Sequence, residues 1–397
     1  MNEQILMKAH NKFTELYSDE PDVRLLNRFY DEKRILENCN FYLQNLELVA
    51  KIRREAERRG EYISLKGAEC SLFIAYLLGT TDINPLPMHE YCPKCKRVAF
   101  LHREGSAFDK YYSKCNCGED MVLDGYDIPF EPNLKKILLG NIKVYVSDSF
   151  FKDAKKIIDD EMGDREAGTP NLNNISQIQI ESRDSLDKYR ELENATGVKA
   201  KDIIHKTTEW IYSFFKNENF DGIPEFDTKF MKELMDQIGP KNISDLLKLI
   251  GFAHSTNVWK DNADVLYNSR KMSLSNIPAC YEDIYLEIVK KLRDQGVYST
   301  GLACEVTGKT RKGYYALYGT MDEETCISLI NLGFDMDFIL FIEKINYMVS
   351  KTYVVATLRE SLLLMYYKTN FETEFNNIMY LLSHLIVLNN NANKTVK

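Results

Sequence analysis

Two closely spaced cysteine pairs constrain this chain more than any other feature. Cys92-Pro-Lys-Cys95 and Cys115-Asn-Cys117 are separated by residues 96–114. Each pair can chelate one ion from a single turn. A hairpin between them then completes a four-thiolate tetrahedron, the arrangement of a structural zinc ribbon. Gly118, just past the second pair, suits the backbone of such a knuckle. The second pair is Cys-x-Cys rather than Cys-x-x-Cys, and four buried free thiols are the alternative reading. His89 and His102 stand nearby as spare ligands, although four sulfurs already fill the coordination sphere. The expected cofactor is therefore a structural zinc ion held by Cys92, Cys95, Cys115 and Cys117. A closed site of this kind is no sign of catalysis. The cysteine total is 9, an odd number, which speaks for a reducing, cytoplasmic setting and not for a disulfide frame.

The rest of the chain must supply an ordinary hydrophobic core. Of 397 residues, 44% are hydrophobic and 28% charged, which excludes disorder as the dominant state. That length corresponds to two or three domains of usual size. Net charge is -8, which excludes a sequence-blind nucleic-acid coat but leaves room for a local basic groove. The longest apolar run, Met379 to Leu388, contains His384 and is about half of what a bilayer requires. The first residues lack the basic-then-apolar order of a secretory signal.

Apolar spacing predicts helix over residues 4–59, ending in the charge run Lys51 to Gly60. That run reads as a solvated helix end, with a nucleic-acid stripe as the alternative. A short strand is expected at Glu61-Tyr-Ile-Ser64, and a buried helix from Gly67 to Gly79. Alternating residues predict strands at 141–147 and 175–180, and residues 163–175 read as a linker. From Asp184 onward nearly everything reads as helical. Asp322 is placed to cap a helix that runs to Asn331 and stops before Gly333. Long apolar-periodic stretches follow at Phe338–Tyr367 and Phe371–Leu388, and a polar tail closes the chain.

Several blocks are recognisable together. They are Thr81-Asp-Ile-Asn-Pro-Leu-Pro-Met-His-Glu-Tyr-Cys-Pro-Lys-Cys95, then Cys117-Gly, then Asp124-Gly-Tyr-Asp-Ile-Pro-Phe-Glu131. Further on come Gly222-Ile-Pro-Glu-Phe-Asp-Thr-Lys-Phe230, Ile250-Gly-Phe-Ala-His-Ser-Thr-Asn-Val-Trp259 and Lys344-Ile-Asn-Tyr-Met-Val-Ser-Lys-Thr-Tyr-Val-Val-Ala356. In this order they resemble the zinc-bearing palm, the fingers and the later helical region of PolC-type DNA polymerase III alpha subunits. The resemblance implies a mainly α fold of the α+β kind. A reduced nucleotidyltransferase-type palm with a zinc ribbon would be joined to an all-helical fingers-like domain. The implied divisions are 1–60 for the helical start of the palm and 61–180 for the reduced palm, with the ribbon at 88–130. Fingers-like helices would occupy 181–390, with a tail at 391–397. The family's exonuclease, its phosphoesterase domain and everything after the fingers find no counterpart.

Polymerisation of this type needs two divalent metals held by carboxylates. The resemblance puts the family's three metal-binding aspartates at Lys143, Tyr145 and Gln179, the last supported by the match at Thr196-Gly-Val198. None of the three is a carboxylate here, so no catalytic magnesium is expected. The family's glycine- and serine-rich triphosphate loop corresponds to Ser64-Leu-Lys-Gly-Ala-Glu-Cys-Ser71, which keeps Gly67 and has Lys66 in place of arginine. Glu69 adds a like charge where phosphates would lie. Tyr353 replaces a family histidine. Asp335-Met-Asp337 is an Asp-x-Asp, but its position before Phe338-Ile-Leu-Phe suits helix capping. Lys66, Lys309, Arg311 and Lys312 are the candidate nucleic-acid contacts, against a solvated loop for the last three. Gly308-Lys-Thr is no phosphate-binding P-loop, because the upstream glycine and strand are missing.

The expectation is a catalytically silent paralogue of the polymerase core that binds a DNA primer–template or a replication protein. The alternatives are an active polymerase with relocated carboxylates, for which Asp124, Asp127 and Asp148 are the nearby candidates, and a structural zinc protein with no role in replication.

Overall fold

The computed structural model describes residues 2–382 apart from 19, 38, 103–104, 167–177, 184–185, 204–209, 212–214 and 216–219. The chain opens on three helices, α1 (Asn2–Tyr17), α2 (Val23–Glu37) and α3 (Asn40–Arg58). The expected helical opening is thus divided by two short breaks. Each helix buries one stripe, as in α2, where Leu25, Phe29, Glu32 and Leu36 recur at helical spacing. Phe13, Phe29 and Phe73 stack their edges at centroid distances of 5.3 and 5.9 Å and lock α1 and α2 over the segment that follows.

That segment corrects the sequence reading. Instead of one buried helix, Ala68–Ser71 forms a 3-10 turn, Leu72 is extended, and α4 covers only Phe73–Leu77. The cause lies in another helix. The Glu32 carboxylate accepts the backbone N–H groups of Phe73 and Ile74, both at 2.9 Å, and so caps α4 from outside. Arg28 neutralises that carboxylate at 2.5 Å.

Two three-stranded sheets follow. One has the order β1 (Ile63–Leu65), β5 (Ile142–Val146), β6 (Ile178–Ser182). Strand β5 runs antiparallel to β1 and parallel to β6. The parallel step needs a crossover. Within it lies α6 (Phe151–Glu166), which packs on α3 and β6. Residues 167–175 of the expected linker, and the start of the second expected strand, lie outside the described residues. The other sheet is antiparallel, with β2 (His89–Tyr91) between β3 (Val98–Phe100) and β4 (Val122–Asp124). Helix α5 (Leu134–Leu139) links it to β5.

Beyond β6 the described residues are almost entirely helical. After α7 (Asp187–Thr196) and α8 (Ala200–Ile203) come α9 (Lys229–Ile238), α10 (Ile243–Ala253), α11 (Asp264–Asn268) and α12 (Tyr281–Asp294). Then follow α13 (Gly301–Arg311), α14 (Tyr314–Tyr318), α15 (Glu323–Asn331), α16 (Met336–Glu343) and α17 (Lys351–Asn370). Asp322 caps α15 through the Thr325 N–H, and Asp335 caps α16 through Phe338, both as the sequence suggests. The apolar stretch 338–367 is broken, because Ser350 starts a fresh helix by accepting from Tyr353. Gly313 turns the chain between α13 and α14 at φ 68°, where any Cβ would sit 2.1 Å from the Asn346 carbonyl oxygen. Helix α17 is the axis of this half. It is buried along most of its length and packs on α7, α8, α10 and α12. No described helix is long and apolar enough to cross a membrane.

Candidate functional site

The small antiparallel sheet delivers the cysteines. Strand β2 ends at Tyr91, and the chain turns at once, with the Lys96 N–H donating to the Cys92 carbonyl at 3.0 Å. The second turn is closed by the Gly118 N–H on the Cys115 carbonyl at 2.9 Å, with Gly118 at φ 89°. The sulfurs of Cys92 and Cys117 then stand 3.5 Å apart, and those of Cys95 and Cys115 stand 3.4 Å apart. All four lie within 4.8 Å of one another. A tetrahedron with metal–sulfur arms of about 2.3 Å has edges of about 3.8 Å, so the four thiols fit a tetrahedral ion. An N–H from Cys95 points at the Cys92 sulfur and holds that thiol below its ordinary range. His89 takes no part, since its ring nitrogens meet Tyr17 Oη at 3.1 Å and the Pro87 carbonyl at 2.8 Å. Burial also pushes the His89 pKa down. His102 is exposed and outside the group.

The other sheet carries the three positions of the resemblance. Lys143 is in register with Gln179, and Tyr145 is in register with Glu181 on one side and Ser64 on the other. Alternation puts all five on one face, while Ile142, Val144 and Val146 are fully buried on the other. Lys143, Tyr145 and Gln179 therefore do meet at one place. There Lys143 makes an ion pair with a fourth residue, Glu181. The Lys143 ammonium lies 2.7 Å from Glu181, and that contact raises the Lys143 pKa. The Arg183 guanidinium stands over the Tyr145 ring at 5.2 Å. Cations thus border the only strand carboxylate on this face.

Helix α17 reaches the same face. Its Glu360 accepts from Lys66 at 2.8 Å and from the Ser64 hydroxyl, and it lies 3.7 Å from Arg183. Lys66 also donates to Thr357 at 3.1 Å, and its ammonium stands 5.3 Å from the Tyr353 ring centre. The Lys66 side chain is 4% exposed, so burial pushes its pKa down while Glu360 opposes the shift. The loop of Ser64–Ser71 is closed from within. The Glu69 carboxylate folds back to accept the Gly67 N–H at 3.0 Å, and burial raises its pKa to about 7.

The remaining candidates separate. Lys309 is paired with Glu305 at 2.7 Å and Asp322 at 3.2 Å, Arg311 lies over Tyr281 at 5.0 Å, and Lys312 is exposed. These three share the end of α13, whereas Lys66 is buried beside α17. Asp124 accepts from Tyr76 at 3.1 Å and Asn84 at 2.8 Å, in the cysteine-bearing sheet. Asp148 follows β5 and accepts from Ser182. Asp127 lies in the turn after Asp124, at φ 52°. Among the described residues, the four cysteines are the one group of three or more His, Cys, Asp or Glu whose ligand atoms gather closely enough for a metal. Sequence reading missed Glu360 and Glu32. Their partners lie 294 and 41 residues away, and no local pattern encodes such a meeting.

Comparison with known proteins agrees with this layout. Residues 180–299 match the family described as the bacterial DNA polymerase III alpha subunit finger domain. DNA polymerase III PolC-type of Bacillus cereus is 23% identical over 80% of this chain and 29% of its own length. The Streptococcus thermophilus protein of the same name is 23% identical over 93% of this chain and 32% of its own. That of Mycoplasmopsis pulmonis is 25% identical over 80% and 29%. The chain spans about a third of the length of these relatives. The chain is thus similar to PolC-type DNA polymerase III over most of its length, is mainly helical, and matches the finger-domain family over residues 180–299.

Proposed function

We propose that this protein is a catalytically silent relative of the PolC-type polymerase core, which acts by binding a DNA primer–template or a replication protein. The observation that carries the reading is the sheet face that Lys143, Tyr145 and Gln179 share. Two adjacent magnesium ions need several carboxylates pointing at one spot. This face offers Glu181 alone from the strands, already neutralised by Lys143. Glu360, which reaches the same face from α17, is held by Lys66, Ser64 and Arg183. Relocated ligands receive no support, because no acidic trio gathers among the described residues.

In the same reading the sheet of β1, β5 and β6 is the reduced palm, the four-cysteine segment is its zinc ribbon, and the helices beyond residue 180 are the fingers. The soft thiolate set favours zinc over hard cations. Lys312 at the end of α13 is exposed to a DNA backbone, Lys309 would first have to leave Glu305 and Asp322 and Arg311 the Tyr281 ring, and Lys66 would have to leave Glu360. Primer extension with Mg²⁺ and with Mn²⁺ tests the proposal. We expect no elongation of an annealed primer. Elongation that co-purifies with the protein and vanishes on Glu181→Gln would overturn it.

A further inference from the structure

A cavity of about 500 Å³ lies behind the free edge of β1, between α3, strand β4 and α17. Its volume suits a small organic ligand. Its apolar wall includes Ile83, Leu123 and Leu363, and its aromatic wall Tyr76, Tyr91 and Tyr126. It is separate from the cysteine cluster, and only its rim, at Ser64 and Glu360, touches the sheet face described above.

The charged groups in this wall are unequally satisfied. Every acid is engaged. Glu57 pairs with Arg53 at 3.2 Å, Glu61 with Arg190 at 2.7 Å, and Glu193 with Lys199 at 3.1 Å. Asp124 holds Tyr76 and Asn84, Glu360 holds Lys66, and Asp82 holds Arg53. Arg359 is different. A guanidinium has five N–H donors. Arg359 gives one to Tyr126 Oη at 3.2 Å, and its nearest carboxylate, Asp82, is 3.8 Å away. Its side chain is only 15% exposed, so water reaches it chiefly through the cavity. Burying a charged group with open donors is costly unless something accepts from them. The fork geometry suits a planar carboxylate or a phosphate.

We propose that this cavity binds a small aromatic molecule carrying one oxyanion, with the oxyanion on Arg359 and the ring against the tyrosine-lined wall. An aromatic carboxylate and a nucleoside monophosphate share this chemistry. Calorimetric titration of the full chain with 1-naphthoate and with thymidine 5′-monophosphate tests the proposal and separates the two. Uncharged 1-naphthamide and thymidine are the controls. At least one oxyanion is expected to bind with Kd below about 1 mM, and its uncharged partner at least about tenfold more weakly. Arg359→Met should erase that preference. Leu363→Trp keeps the cation, fills the space and should abolish binding, with melting temperature checking the fold of both variants. The proposal fails if neither oxyanion binds, if the uncharged partner binds equally well, or if Leu363→Trp binds like the parent protein. None of these results depends on whether the protein extends a primer.

Discussion

At Glu69 a carboxylate is buried against its own loop, and the direction of its pKa shift fixes how stability follows pH. Its ordinary value is 4.5 and its folded value is about 7. In acid both folded and unfolded chains hold the proton, and the group contributes nothing. As pH rises from 4.5 towards 7, the unfolded chain ionises first, so the native state loses stability. Above that window the loss is complete, at about 3 kcal/mol. Glu69→Gln should therefore be nearly neutral near pH 4.5 and stabilising by about 3 kcal/mol near pH 8. Urea unfolding at the two pH values measures this, and a difference that does not change with pH would contradict it. Glutamine keeps an acceptor for the Gly67 N–H, so the loop geometry is retained.

Glu32 and the cysteine turns show what an element owes to groups outside it. Removing the carboxylate in Glu32→Ala frees two α4 N–H groups and leaves Arg28 without its counter-ion. The expected cost is about 3–5 kcal/mol, read from the urea midpoint. Chelation is the second test at this scale. Purified protein should carry about one zinc per chain, and its removal should raise amide exchange through β2, β3 and β4 while α17 stays protected. Equal protection with and without chelator would mean that the sheet stands without an ion. The contrast with sequence reading is instructive. The caps at Asp322 and Asp335 were legible because cap and helix are neighbours in the chain. The cysteine turns were legible because each pair closes locally. The break at Leu72 was hidden, since apolar periodicity runs straight through it and its cause lies in α2.

Across the whole molecule, the Lys66–Glu360 ion pair ties the N-terminal sheet to the central helix of the helical half. Glu360→Ala leaves the buried Lys66 ammonium without its counter-ion and with Thr357 as its acceptor, with an expected loss of about 3–5 kcal/mol. Replacing both partners, Lys66→Met with Glu360→Leu, should return to within about 1–2 kcal/mol of the parent protein, because buried pairs are commonly replaceable by apolar ones. Thermal melting of the three proteins reads the difference, and a double variant as weak as the single one would mean that the pair does more than neutralise itself. This tie could not be read from the chain, since nothing near Lys66 names a partner 294 residues away. That Lys143 and Tyr145 share a face could be read, since strand alternation alone puts them there.

The pairing of Lys143 with Glu181 also bears on how a carboxylate at position 143 would be received. An aspartate introduced at 143 would meet Glu181 across the strands as a like charge, with no cation between them until a metal arrived. Lys143→Asp should thus weaken the fold slightly, the pair being about half exposed, whereas an aspartate at 145 or 179 would still face the Lys143 ammonium. The register of two short strands thus sets the order in which carboxylates could gather on this face without repelling one another.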